Sequence, residues 1–373
     1  MVQHPPTEEI IEENQTPWHT DRLPSGCSHC RRVYLVSPNY RGSSCPLCRQ
    51  GTLEAQSAHM RPTEPEQVLP FRVTKNDLLP TYQKFVSGVW IKPEDFNPDT
   101  LLKNTRPIFW PHWLVDSDVN GHWQMEAGFN YQVESAKEVY TGGRWESRKQ
   151  IENRVRWEPR VGMMTTRVDN VVTPALEEHE NRLQMTGQYH LERGIDFDPN
   201  LLGGAFLELP DIPPEDAWPL ARPQLDKALA EISKKAAGAQ HYRDFTIKAR
   251  FSNQDWTEFF LPMYTTFYRD DDGQPQLVVI NGETGTIRGP RLASRKRGAR
   301  IAQITAAVAG ALFLLALIGL LLTIIFPPAG LAAGLLGILG LVITLFAIII
   351  AVWPRQWNRK QTGPRIAVKD YQG

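Results

Sequence analysis

Four cysteines carry the clearest chemistry in this chain, and it has no others. Cys27 and Cys30 form one C-x2-C pair and Cys45 and Cys48 a second, with fourteen residues between the pairs. Two such turns bring four thiolates to the corners of a tetrahedron, the geometry Zn²⁺ takes with sulfur ligands. Iron in a rubredoxin-like site uses the same ligands and is the alternative metal. Four protein ligands close the coordination sphere and leave no position for a catalytic water, so the expected role is to fold a small domain. His29 lies inside the first pair and is not needed as a ligand. Arg31 and Arg49 follow the second cysteine of each pair, where glycine would allow a tighter turn.

Little else in the sequence reads as a reacting group. Asp270-Asp271-Asp272 suggests Ca²⁺ at first sight, but the loop spacing and distal Glu of an EF-hand are missing, so a hairpin turn is expected. There is neither a P-loop nor a G-x-G-x-x-G. His112, His122, His179, His190 and His241 are scattered and have no nucleophile-elbow motif nearby. Trp110-Pro111-His112-Trp113 reads as core filling. An active site near His112 and Asp116 is the one catalytic alternative, and a non-enzymatic protein is the expectation.

The elements that position the cysteines are short. Val33–Val36 reads as a strand and Pro38–Gly42 as a turn, which places a zinc ribbon at 23–50 behind an acidic, disordered segment at 1–22. Residues 51–66 form a polar linker. Residues 67–290 change character repeatedly. Leu78, Tyr82, Phe85, Val86, Val89 and Trp90 share one helical face, predicting a helix over Asp77–Trp90. Strands are predicted at Phe109–Asp116, His122–Ser135, Glu146–Trp157 and Arg160–Val171, with Asn120-Gly121 and Gly142-Gly143 as turns. A second helix is predicted with Pro223 near its first turn and Gly238 past its end. Strands then follow at Asp244–Phe251, Thr257–Arg269 and Gln276–Ile280. Segregated helices and hairpins make this region α+β. Two related modules, 67–200 and 201–290, are suggested by similar strand openings at Leu114-Val115 and Leu261-Pro262-Met263-Tyr264.

The C-terminal part is different in kind. From Ile301 to Trp353 there is no Asp, Glu, Lys, Arg or His. As one helix, this run would be about 80 Å long, against a bilayer core of about 30 Å, so two spans fit where one does not. Pro327-Pro328 breaks the run. The reading is a transmembrane hairpin with helices at Ile301–Phe326 and Ala329–Trp353. A basic collar at 291–300 precedes it, and a basic tail at 354–373 follows. Lys/Arg-rich flanks stay on the cytoplasmic side, which puts both termini in the cytoplasm at the inner membrane. The acidic N-terminus, with Glu8, Glu9, Glu12 and Glu13, agrees with an untranslocated start. Arg295, Lys296, Arg297, Arg300, Arg355, Arg359 and Lys360 are the residues expected to contact lipid headgroups and set the orientation. Gly330, Gly334, Gly337 and Gly340 suit close helix packing within the hairpin, or self-association through the second span.

Charge also bears on partners. Arg22, Arg31, Arg32, Arg41 and Arg49 make the ribbon basic, which is the footprint of a nucleic-acid binder. Setting aside six basic residues at 288–300, and five basic residues and one acidic residue in the tail, leaves 30 basic against 40 acidic. A region carrying −10 is repelled by a phosphate backbone. A protein partner is therefore expected, and membrane-tethered nucleic-acid binding is the alternative.

The order of features resembles the bacterial two-pass membrane proteins with a TFIIB-type zinc ribbon, which are labelled primosomal-helicase-like from the ribbon alone. The resemblance rests on the cysteine quartet and on Leu69-Pro70-Phe71-Arg72-Val73-Thr74-Lys75. It continues through Phe109-Trp110-Pro111-His112-Trp113, Leu261-Pro262-Met263-Tyr264 and Val279-Ile280-Asn281-Gly282-Glu283-Thr284-Gly285. Where the family has an aromatic residue, this chain has His112. No helicase motor accompanies the ribbon. The resemblance implies an adaptor that recruits SPFH (flotillin-like) or phage-shock PspA-type proteins to the membrane in a stress response.

Overall fold

The structure, a computed structural model, describes residues 21–56 and 64–361. The acidic segment up to residue 20, linker residues 57–63 and the tail beyond 361, with Arg365 and Lys369, lie outside the described residues. The cysteine-bearing part forms β1 (Leu23–Cys27), β2 (Val33–Val36) and β3 (Leu53–Ala55). Its third strand thus falls just past the expected boundary at residue 50, and it pairs with β1. Then come β4 (Gln67–Val68), α1 (Leu78–Ser87) and α2 (Pro98–Asn104). Two long strands follow, β5 (Arg106–Thr141) and β6 (Arg144–Pro174). Next are α3 (His179–Thr186), β7 (Ile195–Asp196), β8 (Phe206–Glu208) and α4 (Pro214–Ala236). The α+β part closes with β9 (His241–Arg269), β10 (Pro275–Asn281) and β11 (Ile287–Arg288).

All eleven strands belong to one sheet. β5 pairs with β9 from Arg106↔Thr265 to Gly128↔His241. Its other edge pairs with β8 at Ile108 and Phe109, then with β6 from His112 to Thr141. The sheet is therefore broad at its root and narrows to a three-stranded blade, which ends in a two-stranded hairpin. A single ladder joins the segments expected to be separate modules, so residue 200 is no boundary in this sheet.

Six expected strands are three. Asn120-Gly121 is not a turn: both lie within β5, where a Cβ at Gly121 would sit 2.4 Å from the Lys248 carbonyl oxygen. The polar stretch after Asp116 that reads as a break instead holds bulges, at Val115/Ser117 and Asp116/Asp118, and a further bulge at Gln124/Glu126 lies within an expected strand. Asn170 and Asn253 take positive φ beside them. Asp116 accepts from the Asn170 amide at 2.6 Å, Asp118 accepts from Asn253 at 2.8 Å, and Arg167 faces Asp116, Asp118 and Asp169. Gly142-Gly143 is the hairpin turn expected, with φ of 62° and 83°.

α4 covers one face of the blade. Ala221, Leu225 and Leu229 pack on Val115, Val119, Trp123, Met125 and Met164. The helix begins at Pro214, nine residues before the expected start, and holds Pro219 and Pro223 inside it. Both prolines lie on its exposed face, where the carbonyls they leave unpaired are open to solvent, while the buried stripe compensates for the lost bonds. α1 stops at Gly88, leaving Trp90 outside the helix.

α5 (Arg295–Leu322) and α6 (Ala329–Arg359) are long and apolar enough to cross a membrane. Both run beyond the uncharged segment into the basic flanks. Ser294 caps α5 by accepting from the Arg297 amide, and Asp271 holds the Ser294 hydroxyl and the Lys296 amide. Ala333, Gly340 and Ala347 are buried in α6, whereas Gly334 and Gly337 face open space. At the base, Trp353 stacks on Trp357, and Trp357 donates to the Arg291 carbonyl. Trp90 meets both Trp353 and Phe346.

Two predictions arise from this packing. A Cβ at Gly298 would sit 2.8 Å from Pro354 Cγ, whereas one at Gly334 meets nothing within 4 Å. Gly298→Ala is expected to destabilise the helix pair by about 1–3 kcal/mol while Gly334→Ala is neutral, read as thermal melting in detergent. The second concerns Glu258, which is 4% exposed on the same face of β9 as Trp256 and Phe260, with one carboxylate oxygen unpartnered. Burial pushes this carboxyl from its ordinary 4.5 up to about 8. The unfolded chain releases the proton first, so stability falls as pH rises from 4.5 to about 8, by up to about 1.4 kcal/mol per unit, and then levels off. Glu258→Gln should flatten that slope in melting curves across this range.

Candidate metal centre

The cysteines lie on two turns held by backbone hydrogen bonds. Cys27 N donates to Arg32 O at 2.9 Å and Arg31 N to Cys27 O at 3.0 Å, closing the first turn. Cys45 N donates to Gly51 O at 2.9 Å, closing the second, and Ser28 N reaches across to Thr52 O at 3.0 Å. Arg31 and Arg49 take φ of 59° and 61°, the left-handed conformation for which glycine was the expected residue.

The four sulfurs converge. Their ligand atoms all lie within 4.8 Å of one another and all four residues are buried. Cys27 Sγ is 3.5 Å from Cys48 Sγ, and Cys30 Sγ is 3.8 Å from Cys45 Sγ. A tetrahedral ion with metal–sulfur bonds of about 2.3 Å needs sulfur–sulfur edges of about 3.8 Å, so the donor set fits a metal ion such as zinc. Without a cation the thiols resist joint ionisation. Hydrogen bonding with Cys27 and then Cys30 raises Cys45, while the same kind of contact with Cys30 draws Cys27 down to about 6. A divalent ion removes that conflict by holding all four as thiolates. Among the described residues no His, Asp or Glu joins the group.

The cluster is built into the root of the sheet. β2 pairs with β8, and Tyr34, Leu47 and Leu53 join the core that contains Trp110, Phe259 and Met263. Thr265 on β9 donates to the Pro46 carbonyl at 2.8 Å, and the Arg49 guanidinium lies 4.1 Å from the centre of the Phe267 ring. Glu208 of β8 is 1% exposed and receives two guanidinium groups, Arg182 of α3 and Arg32 beside the first turn. Arg32 also pairs with Glu178. Arg22 donates to the Gly203 carbonyl at 2.6 Å. Three of the five arginines expected to form a basic surface, Arg22, Arg32 and Arg49, are thus tied into the fold, while Arg31 and Arg41 are exposed.

The remaining candidates separate. His112 is 1% exposed, with ring centroids 4.3 Å from Trp110 and 4.4 Å from His179. Burial lowers His112 well below the usual range and brings His179 to about 4, so both imidazoles are neutral core groups. Asp116 belongs to the blade, bonded to Asn170 and Arg167, and among the described residues shares no partner with His112. Asp270 closes the turn expected of it, accepting from the Asp272 and Gln274 amides at 2.9 Å. Arg295, Lys296, Arg297, Arg300, Arg355, Arg359 and Lys360 gather at the bases of α5 and α6.

Two contributors were missed in the sequence. Gly51 has a readable signal, a glycine three residues past the last cysteine: a Cβ there would sit 2.5 Å from Cys27 Sγ and 2.6 Å from the His29 amide nitrogen. Glu208 has none, because it lies far along the chain in a strand of three residues. No family model, curated protein or solved structure matches this chain.

The close approach at Gly51 gives a prediction. Gly51→Ala should weaken Zn²⁺ binding tenfold or more in competition with a chromogenic chelator, since the new methyl displaces a ligand sulfur. Gly204→Ala, whose Cβ meets nothing nearer than the Tyr40 hydroxyl at 3.7 Å, should bind as the parent chain does.

Proposed function

We propose that this protein is a non-enzymatic adaptor of the cytoplasmic membrane, in which a zinc ribbon and an α+β blade face the cytoplasm from a two-helix anchor. Zn²⁺ is held by Cys27, Cys30, Cys45 and Cys48, with iron as the other metal those ligands accept. The closed donor set supports a structural ion. The apolar exteriors of α5 and α6, where Leu314 and Leu321 of the first and Leu331 and Leu335 of the second are all more than half exposed, support lipid as their surroundings. The basic residues at both bases, with Trp353 and Trp357 beside them, support an orientation with both ends cytoplasmic.

The observation that carries the adaptor reading is the uncovered face of the blade. Alternation along β6 puts Trp145, Ile151, Val161 and Met163 on the side away from α4, joined by Tyr140 opposite Trp145. Val161 and Met163 are 78% and 76% exposed, and a hollow of about 390 Å³ lies between them and Lys248. Such a run of apolar side chains on an open sheet face suits a protein partner. The engagement of Arg22, Arg32 and Arg49 within the fold leaves the ribbon a poor phosphate-binding surface. The resemblance noted above suggests an SPFH-type or PspA-type partner, and a further copy of the chain can pack against Gly334 and Gly337.

Affinity purification of the full chain from native membranes in lipid nanodiscs tests this reading. A stoichiometric protein that survives nuclease treatment and is lost with Val161→Ser/Met163→Ser is the expected result. Cys27→Ser should disrupt the ribbon and leave membrane insertion intact, because the helix pair needs no metal. Nuclease-sensitive nucleic acid without a protein partner, or turnover in a broad hydrolase screen, would count against the adaptor.

A further inference from the structure

A cavity of about 400 Å³ opens where the acidic turn between β9 and β10 faces the base of the helix pair, lined by Asp270, Asp272, Arg295, Arg355, Asn358 and Arg359. Its two walls differ in how their charges are used. On the turn side, Asp270 is spent on its own loop, accepting from Gln276 as well as from two backbone amides. Asp271 is spent on the start of α5. Asp272 remains 57% exposed, with Arg295 and Lys296 each 3.3 Å away. On the opposite wall Arg355 and Arg359, one turn apart on α6, have no ion-pair partner among the described residues. The lining therefore holds two guanidinium groups without an ion-pair partner facing one exposed carboxylate, Asp272.

We propose that this cavity binds the phosphoethanolamine headgroup of a membrane lipid. The phosphate is taken by the Arg355 and Arg359 guanidinium groups, which suit phosphate oxygens through paired N–H donors. The primary ammonium is taken by Asp272, the exposed carboxylate of the turn. The exposed Asp272 carboxylate across from the unpaired Arg355 and Arg359 gives the cavity both signs of charge, which fits a zwitterion. A quaternary choline has no N–H to give these carboxylates, so ethanolamine is preferred. Position agrees with chemistry. Arg355 lies two residues past Trp353, at the end of the uncharged segment, so the acyl chains can follow α6 while the headgroup enters the cavity.

This inference rests on the membrane reading, and the test separates the two. The full chain is placed in nanodiscs of phosphatidylcholine with equal minor fractions of phosphatidylethanolamine and phosphatidylglycerol, and retained lipids are counted by native mass spectrometry after release. One phosphatidylethanolamine per chain, enriched at least fivefold over the other two, is expected. Arg355→Gln/Arg359→Gln should remove it, Asp272→Asn should shift retention towards phosphatidylglycerol, and Lys227→Gln, exposed on α4 and away from the cavity, should change nothing. Retention of phosphatidylglycerol at or above phosphatidylethanolamine would reduce the site to a basic surface. Binding of free phosphoethanolamine without selective retention of phosphatidylethanolamine would assign it to a soluble compound instead. Flotation of the parent chain with liposomes reads the anchor separately. Flotation without selective retention overturns the headgroup site alone, and loss of flotation overturns the membrane reading and this site with it.

Discussion

The antiparallel ladder between β5 and β9 is the interaction on which the other parts depend. It runs from Arg106↔Thr265 at the root to Gly128↔His241, and each strand uses its second edge to attach something else. β5 hands its root to β8, which pairs with β2 and so carries the cysteine cluster. β9 hands its root to β10 and, through the turn at Asp270–Asp272, meets the start of α5. The metal centre and the helix pair are therefore mounted on neighbouring strands. Between its two bulges and on either side of them, backbone groups along the ladder satisfy one another, which lets a narrow blade exist with only one face covered.

Specificity at the root comes from buried charge. Glu208 sits between Arg182 and Arg32, all but excluded from water. Pairs of this kind add little net stability against an apolar replacement, yet removing one member costs about 3–5 kcal/mol, because the other is left charged and unpaired. The arrangement fixes which strand the ribbon docks against and in what register. Nearby, the neutral His112 and His179 pack ring against ring with Trp110, so an aromatic layer seals the polar pair from the blade side.

The sequence made some of this legible and concealed the rest for identifiable reasons. The cysteine spacing and the uncharged run from Ile301 to Trp353 are local patterns, and both mark real elements. Gly142-Gly143 marks a turn because both residues need positive φ. Asn120-Gly121 has the same look and marks no turn, because there the glycine admits a neighbouring strand rather than a reversal. Ser117-Asp118 and Asn253 read as loop because their polarity matches loops, whereas a cross-strand network of carboxylates, amides and Arg167 absorbs that polarity inside a continuous sheet. Pro223 read as a helix start because the compensating stripe, Ala217, Ala221, Leu225 and Leu229, spans two further turns. Glu208 was invisible, since its importance is created by partners distant in sequence.

The length of β5 has a mechanical consequence. Its 36 residues span about 120 Å if fully extended, with the turn at Gly142-Gly143 at the free end and the cysteine cluster and helix pair at the other. A rotation of only about 5° at the root then sweeps the free end through about 10 Å. Small rearrangements where the sheet meets the helices are magnified into large displacements at the tip, and a load applied at the tip returns to the root as torque.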